Sequence, residues 1–378
     1  MLDWLVSIIY YVVPFLVLLG ILVFVHEFGH YIVAKLCGVA VSEFSVGFGK
    51  EIWGRDDKSG THWKISLIPL GGYCKFLGDA DASSSTEDEA AKELSEEDKK
   101  RAFPFQKPQT KLAIVFAGPA FNYLFAILVY ATIFFFWGKF DYPPVVGGII
   151  KESAAEAADI RVGDRFLKVN GNQIKVFSDI RNEVTMFVGD KIEVVIDRGG
   201  EFITKKIKLK LIEVENKLGE KEKKALIGVN SINAVEIDEH SLSLFEALKE
   251  GTLEAYKITV MTLRGVGQMI RGERSGEDVG GIIRIAELSG DISKKQGILD
   301  FCVFMALLSV NLGLINLFPI PILDGGHIII YLIEIVTRRE MPAKFKDYLF
   351  KIGLFLIIAL MLFATWNDFV RLFVRWFS

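Results

Sequence analysis

Long apolar segments constrain the fold of this chain more than any other feature of its sequence. Four such segments are found, at residues 4–25, 112–137, 301–336 and 348–374. A helix rises 1.5 Å per residue, so about 20 residues cross a hydrocarbon layer of about 30 Å. The sequence therefore predicts a polytopic α-helical membrane protein with about four transmembrane helices, the first of them within residues 1–36.

Composition narrows the partners and ligands that the chain can have. Of its 378 residues, 51% are hydrophobic, and the formal net charge of -3 provides no basic field for a nucleic acid. The three cysteines, Cys37, Cys74 and Cys302, are odd in number and far apart. They exclude a disulfide framework and a cysteine zinc knuckle, so any metal must be bound by His, Asp or Glu.

Charged residues near the ends of the apolar segments predict the orientation in the membrane. The first segment is preceded by Asp3 and by no Lys or Arg, and it is too long for a cleaved signal peptide, so we expect it to remain. Basic residues follow the first segment, precede the second and separate the third from the fourth: Lys35, Lys107, Lys111, Arg338, Arg339, Lys344 and Lys346. Because such residues favour the cytoplasmic side, both termini and the long loop after the second segment are expected to be extracytoplasmic.

The stretches between the apolar segments have patterns of their own. Residues 42–76 alternate apolar and polar side chains on both sides of a turn-rich stretch at 54–60, which predicts a β-hairpin. The charge-dense residues 77–111 are expected to form a cytoplasmic loop. Strand-like runs and turns at 145–229 predict a small domain. Residues 241–270 have the pattern of an amphipathic helix that lies on the membrane face or packs on that domain.

An HExxH motif stands at the end of the first apolar segment, formed by His26, Glu27 and His30. Residues four apart share one face of a helix, so both imidazoles can point at one metal ion while Glu27 reaches a water beside it. Ionisable groups that follow about twenty apolar residues are costly to place in a bilayer and usually mark function. The alternative is a polar cluster that only marks the end of the helix.

A catalytic zinc site usually has three protein ligands and an open position for water, so a third ligand is needed. The third apolar segment is interrupted by prolines and glycines at 319–326, and a broken helix is tolerated in a membrane where it lines a polar cavity. Asp324 is the only acid of this segment before its polar end, and we expect it to be the ligand. The alternatives are a helix cap at Asp324 and a ligand at His62, His240 or His327.

Together these motifs resemble the site-2 protease family, and within it the bacterial regulator-of-sigma-E protease type. The matching motifs are HEFGH at 26–30, GPAFN at 118–122, a PDZ-like core with Gly163, Asp164, Asn170 and Gly171, and NLFPIPILDGG at 316–326. The resemblance covers nearly the whole chain. One departure is that the best-known members of this type carry two tandem PDZ domains, whereas this chain has room for one.

The resemblance implies a set of roles for individual residues. His26, His30 and Asp324 would bind Zn2+, Glu27 would be the general acid and base, and Asn316 would contact the substrate backbone. It also implies that the hairpin at residues 42–76 is associated with the membrane. The domain at 145–229 would be an inserted extracytoplasmic PDZ-like α/β domain.

The implied activity is that of an intramembrane zinc metalloprotease in the bacterial inner membrane. Its substrates would be membrane proteins already cut once, of the anti-sigma factor type, and signal peptide remnants, within a stress response. A different class is a non-catalytic adaptor that presents its PDZ-like domain and holds a structural metal. A metal transporter would need several ionisable groups along a path through the spans, and the sequence has one such cluster.

Overall fold

The computed structural model describes residues 2–79, 94–138, 142–185, 191–215, 221–231, 242–273, 280–295 and 297–377. His240, one of the alternative ligands, lies outside these residues. The chain divides into two compact units. The first comprises residues 1–131, 248–259 and 277–378, and the second comprises residues 132–247 and 260–276.

Both units contain helices and strands. The helices are α1 (Leu2–Leu36), α2 (Glu96–Arg101), α3 (Pro108–Trp137), α4 (Ala154–Ala157), α5 (Phe177–Thr185), α6 (Leu244–Ile270), α7 (Ile282–Lys295), α8 (Ile298–Asn316), α9 (Asp324–Thr337) and α10 (Ala343–Phe377). The strands are β1 (Val41–Asp56), β2 (His62–Phe76), β3 (Val146–Ile149), β4 (Arg165–Val169), β5 (Asn172–Gln173), β6 (Lys191–Arg198), β7 (Glu201–Lys208), β8 (Lys210–Glu215), β9 (Lys221–Leu226) and β10 (Val229–Ser231).

Four helices within the described residues are long and apolar enough to cross a membrane. These spans are Ile9–Leu36 in α1, Pro108–Trp137 in α3, Ile298–Asn316 in α8 and Lys344–Phe373 in α10. The fold class is thereby confirmed: a polytopic α-helical membrane protein with four candidate spans. Side chains of the first and third spans pack together in one apolar cluster that contains Leu18, Leu22, Phe301 and Met305.

The third apolar segment forms two helices, as its prolines and glycines predict. α8 ends at Asn316, and α9 begins at Asp324 after a turn that contains Pro319 and Pro321. Proline lacks the backbone N–H that a helix needs and disfavours the helical conformation of the residue before it. The 14 residues of α9 extend about 21 Å, which is too short to cross the hydrocarbon layer. Asp324 therefore begins a new helix at a break in the segment.

The predicted hairpin is a bent sheet. Residues 43–46 of β1 pair on one side with residues 72–75 of β2 and on the other side with residues 62–65 of the same strand. Both strands bend at glycines in the left-handed region: Gly47 has a φ of 95° and Gly71 has a φ of 121°. Such values suit glycine because it has no Cβ. The bends place the segment 72–76 at an outer edge of the sheet.

One end of this sheet is buried and the other is exposed. Phe44, Cys74 and Phe76 are buried in an apolar cluster with Ala34 of α1 and Ile114 of α3. At the exposed end, large apolar side chains are between 41% and 65% exposed: Phe48, Ile52, Trp53, Ile65, Leu67 and Ile68. An exposed apolar patch of this kind marks a surface that binds protein or lipid.

Asp57 fixes the turn between β1 and β2. Its carboxylate accepts hydrogen bonds from the backbone N–H groups of Ser59 and Thr61, at 2.8 and 2.9 Å. It also accepts from the indole of Trp63 at 3.1 Å and from the hydroxyl of Tyr31 on α1 at 3.0 Å. The turn is therefore anchored both to its own strand and to the first helix.

The helix α7, which is amphipathic and has 14 residues, was not predicted from the sequence. Its N-terminus is held by the buried side chain of Asp368 on α10. That carboxylate accepts hydrogen bonds from the backbone N–H groups of Gly281, Ile283 and Arg284, at 3.0 to 3.2 Å. A carboxylate there satisfies N–H groups that lack helical partners and interacts favourably with the helix dipole.

The predicted amphipathic helix corresponds to α6, and part of it packs on α3. A Cβ atom at Gly251 would lie 2.7 Å from the carbonyl oxygen of Ile127, so this glycine allows close approach of the two helices. Thr259 and Tyr123 share a hydrogen bond of 3.0 Å. Neither of the two predicted positions, on the membrane face or on the inserted domain, included contact with a membrane span.

The second unit contains the predicted inserted α/β domain. A four-stranded antiparallel sheet has the order β5-β4-β6-β7, and β3 pairs with β10. Apolar side chains of both groups of strands form one core with α4 and α5. The PDZ-like motif lies in this domain. Asn170 and Gly171, at the end of β4, have φ of 49° and 82° and turn the chain toward β5.

Asp164 of the PDZ-like motif is buried and paired. Its carboxylate accepts two hydrogen bonds of 2.7 Å from the guanidinium of Arg198 and one of 2.8 Å from the backbone N–H of Arg161. Burial alone would raise the pKa of Asp164, but these bonds and the positive charge of Arg198 hold it below its usual value. This pair joins the start of β4 to the end of β6.

Candidate metal centre

The two histidines of the HExxH motif face each other near the end of α1. Their Nε2 atoms are 3.3 Å apart, and the rings meet edge to face with centroids 4.9 Å apart. Both side chains are buried. The spacing of four residues places them on one face of the helix, as the sequence predicted.

Asp324 at the start of α9 reaches the same point. Its Oδ2 atom is 3.1 Å from Nε2 of His26, and its Oδ1 atom is 3.6 Å from Nε2 of His30. The three potential ligand atoms lie within 4.8 Å of one another. Within the described residues, no other group of three His, Cys, Asp or Glu side chains could hold a metal in this way.

Glycines after Asp324 make this position possible. A Cβ atom at Gly325 would collide with the backbone of Phe318 and Leu317, and one at Gly326 would collide with Pro321. The absence of both Cβ atoms lets the first turn of α9 fold against the break that precedes it. The two glycines therefore allow the start of α9 to pack closely against the preceding break, which brings the carboxylate of Asp324 next to the two imidazoles.

The donor atoms suit a zinc ion. The Oδ2 atom of Asp324 is buried and has no hydrogen-bond partner among the described residues, although it lies 3.1 Å from an imidazole nitrogen. An unsatisfied buried carboxylate oxygen beside two imidazole nitrogens is costly unless a cation binds there. Two histidines and one carboxylate are an established ligand set for catalytic zinc, which leaves a fourth position open.

Glu27 lies beside this centre and is held by the bent sheet. Its carboxylate accepts a hydrogen bond from the backbone N–H of Cys74, in the edge segment 72–76. A Cβ atom at Gly72 would lie 2.7 Å from Cγ1 of Val23 and 3.5 Å from Cγ of Glu27 itself. The edge segment therefore packs directly on the helix face that carries the glutamate.

The third helix forms the other wall of the centre. Nδ1 of His30 is 2.9 Å from the carbonyl oxygen of Ile114, and Nδ1 of His26 is 3.0 Å from the side-chain amide of Asn122. Gly118, between these two residues, faces both rings, and a Cβ atom there would collide with them. The GPAFN motif marked these residues in the sequence, but their contacts with the histidines could not be inferred from it.

The remaining candidates from the sequence lie elsewhere. Asn316 is the last residue of α8 and is partly buried, and its contact with substrate stays a prediction. His62 is in β2, where its two ring nitrogens are 2.9 Å from Glu51 and 2.6 Å from Asp56. His327 is one turn into α9, with its ring 6.2 Å from that of Tyr331. Neither histidine belongs to the cluster of potential ligands.

The fold and the site together define a membrane metalloprotease. The chain belongs to peptidase family M50, the site-2 protease family, whose model matches residues 14–360. The family predicted from the motifs is therefore confirmed.

Curated relatives match over nearly the full length of the chain. "Putative zinc metalloprotease Atu1380" of Agrobacterium fabrum is 38% identical over 363 residues, which are 95% of each chain. Metalloprotease MmpA of Caulobacter vibrioides is 32% identical over 382 residues, again covering 95% of each chain. A solved PDZ domain of an SdrC-like protein from Listeria innocua is 19% identical and covers 26% of this chain and 99% of its own. Its TM-score is 0.20, which supports no conclusion about the fold.

Proposed function

We propose that this protein is an intramembrane zinc endopeptidase that cuts peptide bonds within or near transmembrane segments. The observation that carries the proposal is the convergence of His26, His30 and Asp324 beside Glu27, with the two histidines inside the candidate membrane span Ile9–Leu36. A zinc ion held by the three ligands supplies a Lewis acid that polarises a carbonyl group and lowers the pKa of water. The protein contributes the general base, the orientation of the substrate and a site with limited access to water.

Glu27 is the general acid and base in this proposal. It takes a proton from the attacking water and returns it to the amine that leaves when the peptide bond breaks. The hydrogen bond from the N–H of Cys74 limits the orientations that the carboxylate can adopt beside the metal centre. A proton carrier that is already oriented reduces the reorganisation that the reaction requires.

The substrate must be extended before it can be cut. A helical membrane span hides its peptide groups in its own hydrogen bonds, and each group left unpaired in lipid costs several kcal/mol. The edge segment 72–76 adjoins Glu27 and can pair with an extended peptide, which recovers those bonds by β-augmentation. Asn316, at the end of α8, is proposed to bind the substrate backbone.

The proposed substrates are membrane proteins that have already been cut once, such as anti-sigma factors, and remnant signal peptides. We propose that the enzyme lies in the bacterial inner membrane, with both termini and the PDZ-like domain extracytoplasmic, and that it acts in a stress response. The PDZ-like domain is proposed to screen substrates. Deletion of residues 145–229 is then expected to widen substrate choice without abolishing peptide-bond hydrolysis.

Cleavage of a labelled single-span peptide in detergent tests the activity. Wild type is expected to cut the peptide and to lose activity with a chelator, whereas Glu27→Gln is expected to be inactive at unchanged metal content. Glu96→Gln, at a side chain that is 88% exposed on α2, is the matched control and should keep full activity. An active Glu27→Gln variant would contradict the mechanism. A folded, metal-loaded wild type that cuts no span peptide would favour the adaptor alternative.

Proline substitutions test the role of the edge segment. Tyr73→Pro distorts this segment at the residue that pairs with Ser45 of β1, and it is expected to abolish cleavage of the span peptide while zinc is retained. Trp53→Pro makes the same change at the far end of β1, where the side chain is 56% exposed. It should leave cleavage largely intact. Equal activities of two folded variants would argue against β-augmentation at this edge.

A further inference from the structure

Asn122 of α3 is the most completely buried polar side chain beside the proposed metal centre. Its exposure is 0%, and its amide is 3.0 Å from Nδ1 of His26. As positioned, the nitrogen of the amide faces the ring, and the Oδ1 atom has no hydrogen-bond partner among the described residues. Neither feature is explained by the packing of α3 against α1.

The chemistry of the histidine decides which way this amide must face. A neutral imidazole carries its proton on one nitrogen and a lone pair on the other. His26 presents Nε2 to Asp324 and the metal position, so in the metal-binding state Nε2 has the lone pair and Nδ1 has the proton. A protonated Nδ1 donates a hydrogen bond and needs an acceptor. An amide nitrogen cannot serve, whereas the amide oxygen can.

His30 already has this arrangement. Its Nδ1 atom lies 2.9 Å from the carbonyl oxygen of Ile114, an acceptor that cannot be exchanged. The two atoms of a side-chain amide, by contrast, exchange positions by a half rotation about the terminal bond. That rotation brings the unsatisfied Oδ1 atom of Asn122 to the nitrogen of His26 that requires an acceptor.

We infer that Asn122 is a positioning residue of the metal centre: its Oδ1 atom accepts a hydrogen bond from Nδ1 of His26 and so directs Nε2 toward the metal. The inference rests on the proposed zinc site. Asn122 is itself held in place, because the buried hydroxyl of Ser309 on α8 donates a 2.9 Å hydrogen bond to its backbone carbonyl. One helix therefore supplies the acceptor for each histidine, a backbone carbonyl for His30 and a side chain for His26.

Three variants of the full-length protein in detergent test this role, with zinc affinity measured by competition against a chromophoric chelator. Asn122→Leu keeps the size of the side chain but removes the acceptor, and a loss of about 10- to 100-fold in affinity is expected, the usual effect of removing such a partner. Asn122→Asp keeps an acceptor oxygen and is expected to restore most of the affinity. Tyr123→Phe, which removes only the hydroxyl that contacts Thr259, is the control and should bind zinc like wild type.

The visible spectrum of the cobalt-substituted protein separates positioning from packing. Asn122→Leu is expected to alter the ligand-field bands of bound Co2+, and Asn122→Asp and Tyr123→Phe to leave them nearly unchanged. If wild type binds zinc and Asn122→Leu matches it in affinity and spectrum, the inference is overturned while the proposed function stands. A wild type that binds no zinc overturns both.

If Asn122→Leu does not yield folded protein, the zinc-loaded wild type labelled with ¹⁵N-histidine decides. Protons on Nδ1 of both histidines, each protected from exchange with solvent, support the inference. A proton on Nε2 of His26, or a rapidly exchanging proton on its Nδ1, overturns it.

Discussion

Gly118 is the position where the smallest change is expected to have a large effect on the metal centre. It lies on α3 opposite both imidazoles, and a Cβ atom there would lie 2.5 Å from Cε1 of His30 and 2.8 Å from Cε1 of His26. Both distances are well inside van der Waals contact. The rings cannot move freely, because each is also tied to α3 through its Nδ1 atom. Gly118→Ala must therefore displace the rings or separate α1 from α3.

The cost of such overpacking is about 1–3 kcal/mol. If the rings take up the strain, zinc affinity falls by about 5- to 150-fold, since 1.4 kcal/mol corresponds to a factor of ten. Chelator competition on the purified protein measures this loss, and cleavage of the span peptide should fall with it. Gly20→Ala is the matched control on α1, because no atom lies within 4 Å of its added Cβ. Wild-type zinc affinity in a folded Gly118→Ala protein would refute the reasoning.

Three further changes are expected to have separable effects. Asp324→Ala removes a proposed ligand and should abolish retention of zinc through gel filtration, because two imidazoles do not complete the set. The ion pair between Asp164 and Arg198 should make the inserted domain less stable in acid. Folding lowers the pKa of Asp164 below its value in the unfolded chain, about 3.9, so the ionised carboxylate stabilises the domain above that pH. This stability is lost as the pH falls through the pKa of the folded state. Asp57→Ala leaves the donors of its turn without their acceptor and should destabilise the bent sheet by about 1–3 kcal/mol.

Each of these has a control and a contradictory result. Zinc that stays bound to Asp324→Ala would exclude this carboxylate as a ligand. Hydrogen exchange of β4 and β6 reports on the inserted domain as pH is lowered. Asp164→Asn should remove the part of the pH dependence that this carboxylate causes, and an unchanged profile would contradict the assignment. For Asp57→Ala, Asp56→Ala at the neighbouring, exposed carboxylate is the control, and equal stability of the two variants would contradict the anchoring role.

Sequence alone was sufficient where the relevant interactions are local. The spans follow from length and apolar composition, and the two histidines share a face because they are four residues apart in one helix. Asp324 could be predicted as a candidate ligand for a different reason. It is the only acid before the polar end of its segment, and prolines and glycines mark the break in the helix. Each of these inferences started from a pattern within a single segment.

Three features that depend on contacts between different segments were not predicted from the sequence. The double pairing of residues 43–46 arises because glycines bend both strands, and a simple alternating pattern does not distinguish it from a flat hairpin. α7 is a short amphipathic helix whose N-terminus is satisfied by Asp368, far along the chain. The contact of Asn122 with His26 depends on how α3 packs on α1. In the last two cases the partner that stabilises the feature is far away in sequence.

The orientation of Glu27, the proposed general base, depends on the curvature of the bent sheet, because its carboxylate accepts a hydrogen bond from Cys74. The bent sheet that orients this carboxylate also contains the exposed apolar side chains around Trp53. A substitution that flattens the bent sheet would rotate this carboxylate without moving any of the proposed metal ligands. Variants of that kind would load zinc normally and still be inert, so a survey of loss-of-function alleles that looks only at ligand positions would miss them.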